Sequence, residues 1–215
     1  MRNPLKRLFF WRRYSTNQHK KYWQGRVYGW KEYSETWNHP RRTFLSNVLK
    51  QLPFMSVMEI GCGSGPNLIN LLRHVQGKQL GGVDINPEAI KVANSIFHGG
   101  YFKVGSAEHM LVSDRSTDVT LTDSFLMYVG PLKIKKYLKE IKRITRDFIV
   151  LAEYHHKSWF KRQKLRIFSG RHAYNYKQLL LKLGCYDVTL VKVPDFEQDN
   201  DAEFRYIIIA RPPKR

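Results

Sequence analysis

Residues 57–72, VMEIGCGSGPNLINLL, place an acid, three alternating glycines and a proline between an apolar run and helix-spaced leucines. Glycine has no Cβ, so Gly61, Gly63 and Gly65 can turn tightly and let a ligand approach the main chain. A loop of this kind, leaving a strand and opening a helix, points backbone N–H groups at a bound molecule. Asp84 lies nineteen residues beyond Gly65. It ends a second apolar run, where a carboxylate can accept hydrogen bonds from a ribose. Both features suit an adenosine-bearing ligand, and the glycine spacing separates two kinds. The dinucleotide fingerprint G-x-G-x-x-G needs its last glycine at position 66, which is Pro66 here. The observed G-x-G-x-G, with Glu59 two residues ahead of it, sets a negative charge beside the loop. That charge repels a pyrophosphate and favours a cationic group, so the chemistry indicated is that of a positively charged adenosine cofactor.

Such residues need a scaffold that brings the ends of several strands together. From Pro53 the chain alternates strand-like and helix-like segments. The runs MSVMEI, QLGGVDI, YFKVGSA, TDVTLTDSFLMYV and DFIVLAEY read as strands. PNLINLLRHV, PEAIKVANSIF, KIKKYLKEIKRIT and NYKQLLLKLG read as helices, with Asn86 capping the second and Gly184 ending the last. The order predicts an α/β fold: a Rossmann-like, seven-stranded, mostly parallel sheet with helices on both faces. The closing strands YDVTLVKV and FRYIIIARP are joined by a polar segment too short for a crossover helix, which predicts an antiparallel last strand. The expected division is a basic, aromatic N-terminal arm with helices covering the site, 1–52, and an α/β domain, 53–215. In the arm, Ser34 is the expected cap of a helix, and Pro40 is expected to interrupt it before a second helix over 44–52.

EIGCGSG, GVDINPEAI, VGSAEHM and DVTLTDSFLMYV, in that order, resemble the class I S-adenosylmethionine-dependent methyltransferases, over about residues 56–212. The resemblance implies methyl transfer with S-adenosylmethionine as cofactor. It implies that Glu59, Gly61, Gly63 and Gly65, with Cys62 inside the loop, lie under the methionine part. It makes Asp84 the acid that holds the ribose hydroxyls and Ile85 the apolar neighbour of adenine. Ser106 and Ala107 match the adenine-edge pair, where many members carry Asp in place of Ser106; Glu108 is the expected substitute. Asp123 falls where the fourth strand ends, facing cofactor and substrate. The sequence there, TDSF, lacks the prolines common in methylases of exocyclic base nitrogens.

For the transfer itself, His155 and Tyr128 are the catalytic candidates, since each follows a strand at the end where ligands bind. The His155–His156 pair also reads as ordinary loop surface, and Tyr128 as a packing residue. Arg171, Tyr174 and Tyr176 in SGRHAYNY are candidates for an acceptor pocket, or for capping and packing of the next helix. Cys62 and Cys185 form no CxxC motif, so neither a zinc cluster nor a disulfide framework is indicated, and a cytoplasmic setting is expected.

Charge bears on partners. The chain has 37 Lys/Arg against 18 Asp/Glu, a net +19, and no acid before Glu32. Basic surface attracts nucleic acid, anionic lipid or an acidic substrate. Residues 1–21 alternate basic pairs with aromatic and aliphatic residues, and three readings stay open. They are a segment lying at an anionic membrane surface, a targeting presequence, or an arm that packs back on the domain. No apolar run is long enough to span a bilayer. The expected activity is methylation of a small-molecule, glycan or lipid-linked acceptor. The alternatives are an RNA methyltransferase, or a basic RNA- or membrane-binding module that keeps the cofactor fold.

Overall fold

The computed structural model describes residues 16–27, 29–198 and 200–214. Seven segments rich in β-branched and aliphatic residues pair into one sheet. They are β1 (Ser56–Ile60), β2 (Gln79–Asp84), β3 (Tyr101–Val104), β4 (Thr117–Asp123), β5 (Thr145–Tyr154), β6 (Tyr186–Lys192) and β7 (Arg205–Arg211). Their order is β3-β2-β1-β4-β5-β7-β6. The first five are parallel, and β7 runs antiparallel between β5 and β6. The order reverses between β1 and β4, which opens a crevice at their carboxyl ends.

Side chains alternate across each strand and so divide the core in two. Met58 and Ile60 join a cluster with Leu138, Ile141 and Ile144 of α6 (Ile134–Ile144) and with Tyr176 and Leu180 of α8 (Tyr176–Lys182). Val57, Val119 and Leu121 pack on the other face. Their partners there are α3 (Pro40–Leu49), α4 (Pro66–His74) and α5 (Pro87–Ile96). Leu68 and Leu71 of α4 are fully buried, each contributing about 1.5–3 kcal/mol by leaving water. α4 begins at Pro66, where a missing N–H costs nothing, with Gly65 left-handed at φ 84° before it. Asn86 caps α5 by accepting a hydrogen bond from Ala89 N at 3.0 Å.

The N-terminal segments differ from expectation. α1 (Thr16–Gln24) and α2 (Trp30–Glu35) precede α3. Ser34 lies inside α2, where its hydroxyl donates to Lys31 O at 2.5 Å instead of capping. Pro40 opens α3 as a first-turn residue, and His39 is its cap, accepting from Arg41 N at 3.2 Å. α7 (Trp159–Ser169) has no counterpart in the sequence reading. Among the described residues no helix is long and apolar enough to cross a membrane. The reading of residues 1–21 falls mostly on residues 1–15, outside the described ones.

Candidate active site

The turn from β1 into α4 holds three left-handed glycines, Gly61, Gly63 and Gly65, with φ of 77°, 55° and 84°. A Cβ on Gly61 would lie 2.8 Å from the Phe125 ring, and one on Gly63 would meet Tyr33 at 3.2 Å. Asp84, at the end of β2, accepts from Gly63 N at 2.9 Å and from Asn86 N at 2.8 Å. One carboxylate thus fixes the glycine loop and the start of α5. Burial raises the pKa of Asp84 against these hydrogen bonds.

Over this turn lies a cavity of about 280 Å³. Its floor is Gly61, Gly63, Asp84 and Ile85, one side is Ser106 and Ala107, and Asp123, Phe125 and Tyr128 close another. The N-terminal helices build its roof. His19, Lys20 and Trp23 of α1, Trp30 and Tyr33 of α2, and Arg41 of α3 all line it. The roof is tied down at several points. Asn86 Nδ2 donates to Trp23 O at 2.8 Å and Arg26 O at 2.9 Å, and Lys20 Nζ lies 3.4 Å from Ser106 Oγ. The Tyr128 ring packs 5.3 Å from Trp23 and 5.7 Å from His19.

Beneath the loop runs a chain of charges. Arg42 donates to Asn67 Oδ1 at 2.6 Å, and Asn67 Nδ2 donates to Glu59 Oε1 at 2.6 Å and to Asp123 Oδ2 at 3.1 Å. Glu59 is buried, and desolvation lifts its pKa to about 8. Its second oxygen has no hydrogen-bond partner among the described residues. Desolvation also pushes the Asp123 carboxyl up, but the attraction of Arg41 and Arg42 overcomes it and holds the group below the usual range. Burial drives Tyr128 up to about 12 and lowers His19. At neutral pH the cavity therefore presents a phenol that keeps its proton and an uncharged imidazole.

Residues 57–147 match the family described as a methyltransferase domain. Over those residues the chain carries a methyltransferase domain. No curated protein matches its sequence. Among solved structures, it is similar to a chain of the complex between the Haloferax volcanii Trm112 methyltransferase activator and its methyltransferase. That match has 18% identity and a TM-score of 0.68, over 86% of this chain and 95% of the other. Geranyl diphosphate C-methyltransferase from Streptomyces coelicolor A3(2), solved with S-adenosyl-L-homocysteine, matches at 13% identity and TM-score 0.60, over 80% and 76%. The [4+2]-cyclase SpnF matches at 16% and 0.59, over 80% and 82%. The fold recurs with different reactions, so the acceptor has to be argued from this methyltransferase's own site.

Of the residues expected from the sequence, Gly61, Gly63, Asp84, Ile85, Ser106, Ala107, Asp123 and Tyr128 meet around the cavity. The others lie outside its lining. Glu59 sits below the loop. Cys62 is buried against Gly82, where an added Cβ would lie 2.5 Å from its sulfur, and burial raises its thiol pKa well above the ordinary value. Gly65 lacks a side chain because Phe97 fills that space, 2.8 Å from where a Cβ would stand. Glu108 is taken by Lys133 at 2.6 Å and Tyr137 at 3.2 Å and does not line the cavity.

Of the catalytic candidates Tyr128 lines the cavity and His155 does not, and none of the acceptor candidates Arg171, Tyr174 and Tyr176 does. His155 is 3% exposed, away from the cavity, and its Nδ1 accepts from Tyr176 N at 3.2 Å. Burial pushes it to about 4, and its ring packs on Tyr206, so it joins β5 to α8. His156 accepts from Ser158 N at 2.9 Å, ahead of α7. Arg171 pairs with Asp201 at 2.8 Å and donates to Tyr154 Oη at 2.7 Å. Tyr176 is fully buried, and Tyr174 Oη donates to Val129 O behind the cavity wall. The pocket instead uses His19, Trp23, Trp30, Tyr33 and Arg41, which sequence reasoning missed. Their only signal was the recurrence of aromatic and basic residues before Pro53.

Proposed function

We propose that this methyltransferase methylates a small-molecule, glycan or lipid-linked acceptor, held with S-adenosylmethionine in the cavity roofed by α1 and α2. The observation that carries the reading is the roof. Rings of Trp23, Trp30, Tyr33 and Tyr128 lie over the glycine turn and shape a partly enclosed, aromatic space suited to a compact group.

The residues present fit the cofactor. Asp84 has two oxygens at the cavity floor, each already oriented by a backbone N–H, with lone pairs left for ribose hydroxyls. Ile85 offers an apolar surface to adenine, and Ser106 and Ala107 border its edge. The main chain at Gly61 and Gly63 carries the methionine portion. Asp123, which Arg41 and Arg42 keep ionised in the cavity wall, sets a carboxylate beside a cationic ligand. When bound, S-adenosylmethionine supplies a methyl group on a sulfonium, already activated for displacement. The chain's own part is to exclude water and hold the acceptor about 3 Å from that methyl. His19, neutral and in the wall, accepts the acceptor's proton where there is one. Tyr128, held protonated, donates a hydrogen bond.

The net charge of +19 favours a second reading, an RNA acceptor. Labelled-methyl incorporation over lipid, glycan, small-molecule and RNA fractions separates the two. Label in RNA alone, with binding that weakens steeply as salt rises, overturns the compact-acceptor reading.

A further inference from the structure

α7 buries almost nothing. Of its eleven residues only Leu165 is buried, at 4% exposure. Trp159, Phe160, Ile167 and Phe168 are exposed by 58%, 78%, 57% and 63%. Scattered apolar side chains on a protein surface need no explanation, but four large ones on one short helix do. Phe160, Lys164, Ile167 and Phe168 stand at i, i+4, i+7 and i+8 and share one face. That face points away from Leu165, which clusters with Met127, Tyr154, Ala173 and Phe204. The helix is built to hold this orientation: Ser158 caps its start and left-handed Gly170, φ 70°, ends it.

The charge around the face is mainly positive, with Glu203, ion-paired to Lys161 at 2.5 Å, reaching the helix from outside it. No Asp or Glu occurs from residue 154 to residue 186. Lys157, Lys161, Lys164 and Arg166 are exposed beside the aromatic residues. An exposed aromatic and aliphatic face framed by lysine and arginine is the arrangement of a helix lying in the headgroup layer of an anionic bilayer. There the rings enter the acyl boundary and lysine stems reach back to phosphates. Nucleic acid would satisfy the cations and stack on the two rings, but it would leave the exposed Ile167 on the same face without an apolar partner.

We infer that α7 is a membrane-docking helix that seats this protein on an anionic lipid surface. Leu165 packs with Met127, which lines the cavity, so docking sets the site one layer from the lipid. This assignment is independent of which acceptor the methyltransferase uses.

The test is co-sedimentation of the full chain with vesicles of phosphatidylcholine alone and of phosphatidylcholine with about one third phosphatidylglycerol. The wild type should partition to the anionic vesicles. Phe160→Glu/Phe168→Glu should lower its partition coefficient at least about tenfold, since two buried rings are lost. Met55→Glu/Leu111→Glu makes the same charge change at exposed positions before β1 and in the β3–β4 connection. It should lower partition by clearly less. Circular dichroism confirms that each variant is folded. Equal losses in the two variants, or no wild-type binding to anionic vesicles, overturn the assignment. So does a wild type that is dimeric in sedimentation equilibrium when the Phe variant is monomeric, because the face would then bind a second copy. Binding to RNA that disappears only in the Phe variant also overturns it.

Discussion

Arg41 Nη1 lies 2.5 Å from Asp123 Oδ1, linking residues 82 apart and fastening the first turn of α3 to the end of β4. Asp123 is 5% exposed and Arg41 21%. Removing the cation leaves a buried carboxylate with Asn67, Ser124 and the more distant Arg42. Arg41→Ala should destabilise the fold by about 2–3 kcal/mol in urea unfolding. Adding Asp123→Asn to that variant should recover part of the loss, since no unpaired charge then remains.

Gly61 carries a positive φ, and a Cβ there would overlap the Phe125 ring. Gly61→Ala should therefore cost about 1–3 kcal/mol from left-handed strain and the clash. Phe125→Ala in the same chain removes the ring but leaves its Cβ 3.0 Å away and the strain in place, so thermal melting should show only partial rescue. Full rescue would mean that the backbone conformation is not strained.

The buried acids set a pH dependence. Native Glu59 keeps its proton to about pH 8, whereas an unfolded glutamate releases it near 4.5. Between those values the native state binds more protons, so rising pH costs stability. Glu153 adds to this up to about 7. His155 and His172, both pushed to about 4 by burial, oppose it only below their ordinary 6.5. Above 6.5 the carboxyls act alone. The unfolding free energy should fall from pH 6.5 to 8 by an amount on the order of 1–2 kcal/mol. Glu59→Gln should flatten that slope.

His19 and Tyr128 share the cavity wall but differ in proton affinity. If His19 is the base, His19→Ala should lower kcat about a hundredfold with little change in cofactor affinity. The wild-type rate should rise with pH and level off below 6.5, because burial lowers this imidazole from that value. Tyr128→Phe should keep the same acid limb, since a phenol at about 12 takes no part in it. A limb that moves in Tyr128→Phe and survives in His19→Ala would reverse the roles.

The sheet and the floor of the site were legible in the sequence because their determinants are local. Three glycines, Pro66 and an acid after the next strand fall within 28 residues, residues 57–84. Helices covering the site were expected from residues 1–52, but which of their residues line it was not legible, because the roof is made by pairings between distant residues. Lys20 meets Ser106 and Trp23 meets Asn86, 86 and 63 positions away, and nothing local announces either. Tyr174, Tyr176 and His155 misled for the opposite reason. Polar aromatics after a strand suggest a pocket, but here β5 and the start of α8 come together and bury them. α7 escaped notice because its apolar residues face outward and do not mark a core.

The most direct test of the central claim is calorimetric titration of the purified chain with S-adenosylmethionine. The wild type should bind one equivalent. Asp84→Asn, which keeps an acceptor oxygen but loses the charge, should bind more weakly by about 1–3 kcal/mol while remaining folded. Unchanged affinity in that variant, or a wild type that gives no heat with S-adenosylmethionine and binds a nicotinamide dinucleotide instead, would contradict the account.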